Sequence, residues 1–188
     1  MEAQQVLDFW FGPDMQSKWY FAGPEFDQQL RQQFGPTLEQ AAQGQLETWR
    51  QSWQGRLALV ILTDQMSRNI HRDQGQAFAT DAYALSVAEQ ALRWGDDLYL
   101  KANQPDTWRM FLYMPFMHAE DLESQRRCLD LFLTHGPEGN IKYARDHLDV
   151  IYRFGRFPGR NEALGRESTA EETAFLAAGG GGWGKSKD

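Results

Sequence analysis

The sequence predicts an all-α fold of eight or nine helices in antiparallel hairpins, and three observations support this class. Apolar residues recur at spacings of three and four, which is the period of a helix that buries one face. No stretch shows the strict alternation that is typical of a half-buried strand. Glycine and proline interrupt the apolar segments, as helix ends require. The 188 residues suit a single domain over residues 1–178, followed by a glycine-rich tail at 179–188 that is predicted to be flexible.

Four helices are predicted in the first half of the chain. The first ends at Gly12-Pro13 and the second at Gly35-Pro36, because proline cannot continue the hydrogen-bond ladder. The most apolar run, Leu57–Leu62, has the composition of a buried strand. The helical spacing continues through the polar residues that follow it, which favours a central helix. The predicted helices cover residues 2–11, 25–34, a short segment up to Gly44, and 56–70.

Five helices are predicted in the second half. Gly95 is expected to end the first of them, because glycine adopts the left-handed conformation without a Cβ clash. Pro115 removes a backbone donor from the second, so we expect a kink or a break there. Thr169-x-x-Glu172 is a capping box before the last helix. The predicted helices cover residues 76–94, 105–118, 121–134, 139–154 and 170–177, with a loop at 156–165, and Trp183 in the tail is a candidate to dock back onto the body.

The charge, hydropathy and cysteine content of the chain limit which partners and which cellular location are expected. The chain has 19 basic and 26 acidic residues, so its net charge is −7, and this argues against nucleic acid as a partner. The longest apolar run is six residues, far short of the roughly 20 that a membrane helix needs. The single cysteine, Cys128, and the absence of a signal-like start predict a cytoplasmic protein without a membrane partner. The oligomeric state does not follow from the sequence.

The first candidate site closes the most apolar helix, at Asp64-Gln65-x-x-Arg68-Asn69 with Arg72. Asp64 and Arg68 lie four residues apart, so they share a helix face and can pair with each other. One interpretation is that these polar side chains line a pocket. The alternative is a buried ion pair that ties this helix to its neighbours.

The second candidate is His118-x-Glu120-Asp121, which follows Pro115. A histidine with nearby carboxylates has the composition of a general base and its orienting partner. The spacing does not match the histidine and glutamate spacing of zinc proteases, so we predict no metal ion here and no cofactor. The alternative is structural, with Asp121 as the N-cap of the next helix and His118 packed in the connecting turn.

The third candidate is an arginine-rich loop that follows residue 152. Between residues 153 and 166 there are four arginines and one glutamate, a net charge of +3 in a chain of −7. Arginine presents a planar fork that suits a carboxylate or a phosphate, so the loop is a candidate anion site. The alternative is that these arginines pair with acidic helices elsewhere in the protein. The candidate ligand-binding residues of this loop are Arg153, Arg156, Arg160 and Asn161.

The aromatic N-terminus contributes two weaker candidates. One interpretation of this aromatic segment is core packing. The alternative is that Lys18 and Trp19 lie at the mouth of a pocket and contact a ligand. The chain has no phosphate-binding glycine loop and no nucleophile elbow, so nothing in it specifies nucleotide binding or serine hydrolase chemistry.

Taken together, these motifs identify the chain as similar to a family of bacterial proteins catalogued as domain of unknown function nine hundred and twenty-four. The resemblance covers nearly the whole chain. It implies an all-helical fold similar to tetratricopeptide helix hairpins, and it implies no reaction. The matching residues are Val6-Leu7-Asp8-Phe9-Trp10-Phe11-Gly12, Lys18-Trp19, Leu62 to Ile70, Ala77-Phe78-Ala79-Thr80-Asp81, Arg109 to Pro115, His118-Ala119-Glu120-Asp121, Arg153 to Pro158, Arg160-Asn161, Leu164-Gly165-Arg166 and Trp183-Gly184.

Two functional hypotheses follow. In the first, the three polar motifs meet in one pocket for a small anionic ligand, and an enzyme would use His118 as the acid or base with Glu120 or Asp64 as its orienting carboxylate. In the second, the helix hairpins form a protein-interaction module without catalysis, which predicts polar residues spread along a groove and no buried titratable cluster. A solely structural role for the polar groups stays open. The residues expected to converge in the first hypothesis are Asp64, Arg68, Asn69, His118, Glu120, Arg153, Arg156 and Arg160.

Overall fold

The fold is all-α in the computed structural model, which describes residues 1–19 and 23–182, and this confirms the predicted class. The predicted docking of Trp183 onto the body concerns a position outside the described residues. In the described part of the chain no helix is both long and apolar enough to cross a bilayer. Helices occupy α1 (Ala3–Trp10), α2 (Pro24–Ala42), α3 (Trp53–Val60), a π-helix (Ile61–Met66), α4 (Ser67–Ile70), α5 (Asp81–Arg93), α6 (Asp96–Asn103), α7 (Asp106–His118), α8 (Leu122–Thr134), α9 (Ile141–Phe154) and α10 (Ala170–Ala177).

The centre of the fold is the continuous helical run from Trp53 to Ile70. Every residue of Leu57–Leu62 is completely buried, because α3 packs against α1, α5 and α7 at once. A helix that is apolar all round needs neighbours on every side to be stable. The predicted central helix is therefore confirmed. Counting this run as one helix, the described residues contain nine helices, within the predicted number.

The central helix changes pitch where its sequence turns polar. Residues Ile61–Met66 form a π-helix, a wider turn that is rare and often lies at functional sites. Side-chain hydroxyls bond to carbonyl oxygens in this stretch: Thr63 donates to Leu59 over 2.7 Å, and Thr80 donates to Thr63 over 2.6 Å. Asp64 and Gln65 lie in the wide turn, and both are buried. The apolar spacing of the sequence did not predict this change of pitch.

Two prolines that were expected to end or break helices lie inside them. Pro36 is within α2, so the predicted stop at Gly35-Pro36 is wrong and a single helix replaces the two predicted segments. Pro115 is within α7, so the predicted possibility of a break there is also wrong. Proline removes one backbone hydrogen bond, but its fixed φ is compatible with a helix, and burial of the flanking side chains outweighs that loss. Phe34 and Leu38 flank the first proline, and both are buried.

Other boundaries differ from the prediction around residues 75–103. The segment Gly75–Phe78 forms a separate 3₁₀ turn, and α5 begins only at Asp81. Helix α6 was not predicted, because its exposed residues break the apolar period. Gly95, between α5 and α6, has φ +76, which confirms the predicted left-handed helix end.

The C-terminal part of the chain contains a second, smaller apolar cluster in addition to the main core. Helix α8 packs on α7 and α9 packs on α8. The Asp121 carboxylate accepts the Ser124 N–H over 2.8 Å, and Thr169 and Glu172 form the predicted capping box at the start of α10. The small cluster contains Val150, Ile151 and Phe157. It attaches the loop at 156–165 and α10 to the rest of the protein. The finer likeness to tetratricopeptide hairpins stays a prediction.

Replacing Gly55 by alanine is expected to destabilise the protein. A Cβ atom at this position would lie 1.9 Å from the carbonyl oxygen of Trp49, so the turn before α3 would have to move. Overpacking of this kind costs about 1–3 kcal/mol, measured as the loss in free energy of unfolding by urea denaturation. Gly139→Ala is the matched control, because no atom lies within 4 Å of its added Cβ. Equal stability of the two variants would contradict the prediction.

Candidate functional site

The centre of the candidate site is a contact between Asp64 and His118. Asp64 comes from the π-helix and His118 is the last residue of α7, and His118 Nδ1 lies 2.7 Å from Asp64 Oδ1. The Gln65 side chain donates to the other carboxylate oxygen. The pair is buried: the Asp64 side chain is 0% exposed and that of His118 is 16% exposed. Two residues that are 54 positions apart in sequence therefore form one polar unit.

The charges around this pair favour an ionised Asp64 beside a neutral His118. Burial alone would raise the pKa of Asp64, but its interactions with His118 and Arg68 outweigh this and lower the pKa below its usual value. Burial lowers the pKa of His118, and the negative charge of Asp64 offsets only part of that change. An ionised carboxylate only accepts hydrogen bonds, so His118 donates through Nδ1 and its second nitrogen, Nε2, is the basic one.

Two arginines share one carboxylate beside this pair. Arg68 donates to both oxygens of Asp81 over 3.0 Å, and it also donates to the carbonyl oxygen of Asp64 over 2.6 Å. Arg160 donates to Asp81 over 3.1 Å and to the carbonyl oxygen of His118 over 2.8 Å. Both guanidinium groups lie over the ring of Phe78, at 5.6 Å and 4.6 Å from its centroid. Burial and the neighbouring Arg68 lower the pKa of Arg160 to about 10, so it remains a cation at neutral pH.

His118 and Arg160 line a cavity of about 600 Å³. This volume falls within the range of small-molecule sites. Arg72, Asp73 and Glu162 of the lining are exposed, whereas the two histidines and Arg160 are mostly buried. The lining residues are Arg72, Asp73, Phe78, His118, His147, Val150, Phe157, Pro158, Gly159, Arg160, Glu162, Ala163 and Gly181.

A second histidine of the cavity lies on α9. The rings of His147 and His118 are 6.2 Å apart, and His147 Nδ1 lies 2.7 Å from the carbonyl oxygen of Tyr143. Burial lowers the pKa of His147 to about 3, and the neighbouring His118 adds to this effect. His147 is therefore neutral. The sequence alone favoured a core or cap histidine at position 147. Nothing near His147 in the sequence indicates that its ring lies beside that of His118.

The three predicted polar motifs meet in space through one residue from each: Asp64, His118 and Arg160. Arg68 joins them through Asp81. The sequence analysis did not assign Asp81 or Phe78 to the site. Their placement depends on long-range packing, so no local spacing indicates it.

Glu120 does not contact His118 and therefore does not orient it. Its carboxylate instead accepts two hydrogen bonds from Arg166, over 2.7 Å and 3.0 Å, and one from the backbone N–H of Phe157 over 2.7 Å. Arg166 lowers the pKa of Glu120 below its usual value, although burial opposes this. Glu120 thus fixes the loop that carries Arg160.

The other predicted loop residues point away from His118. Arg153 pairs with Glu171 over 2.6 Å, and Arg156 pairs with Glu172 over 2.7 Å, so both attach α10. Asn161 is buried and donates to Ser168 over 3.0 Å and to Glu172 over 3.3 Å. None of these three lies in the hydrogen-bond network around His118.

The remaining predicted residues also lie in structural contacts. Asn69 donates to Asp27 of α2 over 2.8 Å. The Lys18 ammonium lies 5.7 Å from the centroid of the Phe26 ring. Trp19 is buried, and its indole N–H donates to the carbonyl oxygen of Trp10 over 3.0 Å. These three residues are absent from the lining of the cavity. Within residues 1–19 and 23–182, no group of three or more metal-ligating side chains is placed to hold a metal ion.

Replacing Arg156 by methionine is expected to lower the melting temperature, whereas Arg153→Met changes it little. Glu172 is buried with Arg156 as its partner, but the Arg153 pair is exposed on both sides. The hydrogen bonds from Arg156 lower the pKa of Glu172 to about 2. This stabilisation is therefore complete above the ordinary glutamate pKa of about 4.3, and it is lost as the pH falls towards 2.

Thermal unfolding of both variants across that pH range tests the assignment. The difference between Arg156→Met and wild type should be largest at neutral pH and should shrink in acid. If Arg153→Met lowered the melting temperature by the same amount, the difference in burial between the two ion pairs would not determine their contribution to stability.

Comparison with known proteins places the chain beside others of unknown function. The family described as "Bacterial protein of unknown function (DUF924)" matches residues 6–180. The chain is 37% identical to the protein of unknown function ATU0120 from Agrobacterium tumefaciens, whose solved structure superposes with a TM-score of 0.84. That similarity covers 94% of this chain and 97% of the other. No curated protein matches the chain.

Proposed function

The chain belongs to the DUF924 family of bacterial proteins of unknown function, and from this premise we propose that it is an acid–base enzyme acting on a small anionic molecule. The observation that carries the proposal is the buried Asp64–His118 pair at the wall of a cavity of about 600 Å³. A carboxylate that holds one imidazole nitrogen fixes the tautomer and leaves the other nitrogen as a base.

His118 has the geometry of the proton acceptor in this proposal. Asp64 holds Nδ1–H, and among the described residues no hydrogen bond joins Nε2 to the protein. A substrate in the cavity would transfer its proton to Nε2. The imidazolium formed in this step is stabilised by the adjacent Asp64 carboxylate, which is already ionised.

Arg160 supplies the positive charge for the anionic group of the ligand. Its two hydrogen bonds to Asp81 and to the His118 carbonyl use two of the five N–H donors of a guanidinium. Arg160 itself lines the cavity together with His118. Among the charged residues that line the cavity, Arg72, Asp73 and Glu162 are exposed, whereas Arg160 is mostly buried.

The sequence alternative, an interaction module without catalysis, is the second candidate. It is favoured by a patch of exposed apolar side chains where α5 meets α6, at Trp94, Leu98 and Tyr99. The buried titratable cluster argues against it, because that hypothesis predicts none. We also propose a cytoplasmic location, which suits a single buried thiol at Cys128.

A thermal-shift experiment tests the anion site. Inorganic phosphate, phosphate monoesters and small carboxylates are screened against the wild type, and a ligand that binds the folded state raises the melting temperature. We expect at least one anion to stabilise the wild type and Arg153→Met, but not Arg160→Met. Arg153→Met is the matched control, because it removes a nearby arginine, in the last turn of α9, that does not line the cavity. A panel without any stabilising anion, or equal stabilisation of Arg160→Met, would overturn the site.

The acid–base role is tested separately with His118→Asn. Asparagine keeps an N–H donor for Asp64 but lacks the second nitrogen. The wild type is incubated with each stabilising anion, and conversion is followed by mass spectrometry and NMR. We expect conversion by the wild type and none by His118→Asn. Conversion that survives in this variant would exclude His118 as the base.

A further inference from the structure

A glycine turn, Gly179–Gly182, stands between the candidate site and a second cavity. The second cavity also measures about 600 Å³ and lies along α9. Gly181 and Val150 line both cavities, so the turn forms part of the wall that separates them. The second cavity is lined by Lys142, Tyr143, Asp146, Asp149, Val150, Phe175 and Gly179–Gly182.

Few contacts hold this turn in place. Its backbone N–H groups bond to its own helix: Gly179 donates to Leu176 and Gly180 donates to Phe175, each over 3.0 Å. Within the described part of the chain, no hydrogen bond joins the turn to α9 or to the loop that carries Arg160. The turn approaches that loop at Gly181, whose carbonyl oxygen lies 3.6 Å from the position that a Cβ atom on Gly159 would take.

The backbone of the turn is also free to change conformation. Gly179 and Gly181 have φ +82 and +70, and four consecutive glycines have no side chains to anchor them. Two side chains of its own helix lie near the turn: a Cβ on Gly180 would lie 2.3 Å from the Phe175 ring, and a Cβ on Gly181 would lie 4.0 Å from the Leu176 side chain. The Phe175 ring makes the closer approach, so we expect it to be the main support of the turn.

We propose that the Gly179–Gly182 turn is a movable wall that controls access to His118. With the turn seated on Phe175, the two cavities are separate. With the turn displaced, the first cavity opens into the second along α9. This inference rests on the proposed function in one respect, because it assumes that the cavity lined by His118 is the ligand site.

Gly180→Ala displaces the turn, because the added methyl group cannot occupy the space of the Phe175 ring. Gly182→Ala is the matched control: among the residues that the structure describes, its added Cβ would meet only the Gly179 carbonyl oxygen, at an ordinary 3.5 Å. Neither of these two glycines has a positive φ, so backbone strain does not separate the variants.

The probe is diethyl pyrocarbonate, which acylates neutral imidazole nitrogens, and peptide mass spectrometry gives the rate at each histidine. We expect Gly180→Ala to raise the rate at His118 several-fold, and Gly182→Ala to leave it unchanged. His71 and His135 line neither cavity, so their rates should stay constant and serve as internal references.

Phe175→Ala gives an independent measurement if Gly180→Ala does not fold, because it removes the surface on which the turn rests. Circular dichroism establishes that each variant is folded. An unchanged His118 rate in the folded variants would overturn the movable wall. This result is distinct from a failed anion screen: the labelling can respond without any ligand, and anions can stabilise the protein while the wall stays fixed.

Discussion

Replacing Arg56 by methionine is expected to lower the free energy of unfolding by about 3–5 kcal/mol. Arg56 lies in α3 and forms two hydrogen bonds with Asp96 at the start of α6, over 2.6 Å and 2.7 Å. The two residues are only 3% and 5% exposed. Methionine fills much of the same volume, but it leaves the Asp96 carboxylate buried without its cation. The expected decrease in the free energy of unfolding is therefore caused by the unpaired charge of Asp96 more than by lost packing.

The comparison for this variant is Lys142→Met. Lys142 also pairs with an aspartate, but its side chain is 78% exposed, and water compensates for an exposed pair. Chemical denaturation should show a large loss for Arg56→Met and little change for Lys142→Met. A loss below about 1 kcal/mol for Arg56→Met would mean that Asp96 finds another partner or becomes protonated.

Replacing Asp64 by asparagine is expected to destabilise the protein by about 3 kcal/mol and to lower the pKa of His118 further. Asp64 is completely buried, and it accepts from His118 and Gln65 while facing Arg68. Asparagine keeps the shape but removes the negative charge that partly offsets the effect of burial on His118. His118 should therefore be harder to protonate in the variant.

NMR titration of the histidine ring protons measures this shift, and denaturation measures the stability. Asp146→Asn is the control, because it removes a partly exposed carboxylate that does not line the candidate cavity. His71 provides an internal reference, since Asp64 is not among the groups that shift its pKa. An unchanged or raised pKa of His118 in Asp64→Asn would show that burial, and not this charge, sets its titration.

Local signals in the sequence were sufficient for most helices and insufficient for the site. Gly95, Asp121 and Thr169 marked helix ends, because their effect depends on neighbours within four residues. Proline was misleading at positions 36 and 115. A proline stops an isolated helix, whereas the packing that carries these two helices through it comes from distant segments.

The site itself combines residues that only the tertiary structure brings together. Asp64 and Arg68 were predicted as a pair because they are four residues apart, and they lie 3.3 Å apart. The carboxylate that joins Arg68 to Arg160 comes from Asp81, which has no marked spacing to either. Arg153 and Arg156 had the same sequence signal as Arg160, and only the position of α10 separates them.

The π-helix at Ile61–Met66 makes the central helix sensitive to insertions and deletions. Successive residues of an α-helix are rotated by about 100°, so removing one residue here would turn everything after it by that angle. Arg68 and Asn69 would then face away from Asp81 and Asp27, although every amino acid of both contacts is still present. The wide turn thus sets the rotation, about the helix axis, between the apolar face before it and the polar face after it. Relatives that align here without a gap would keep this rotation, whereas a gap of one residue would mark a protein whose polar face serves another purpose.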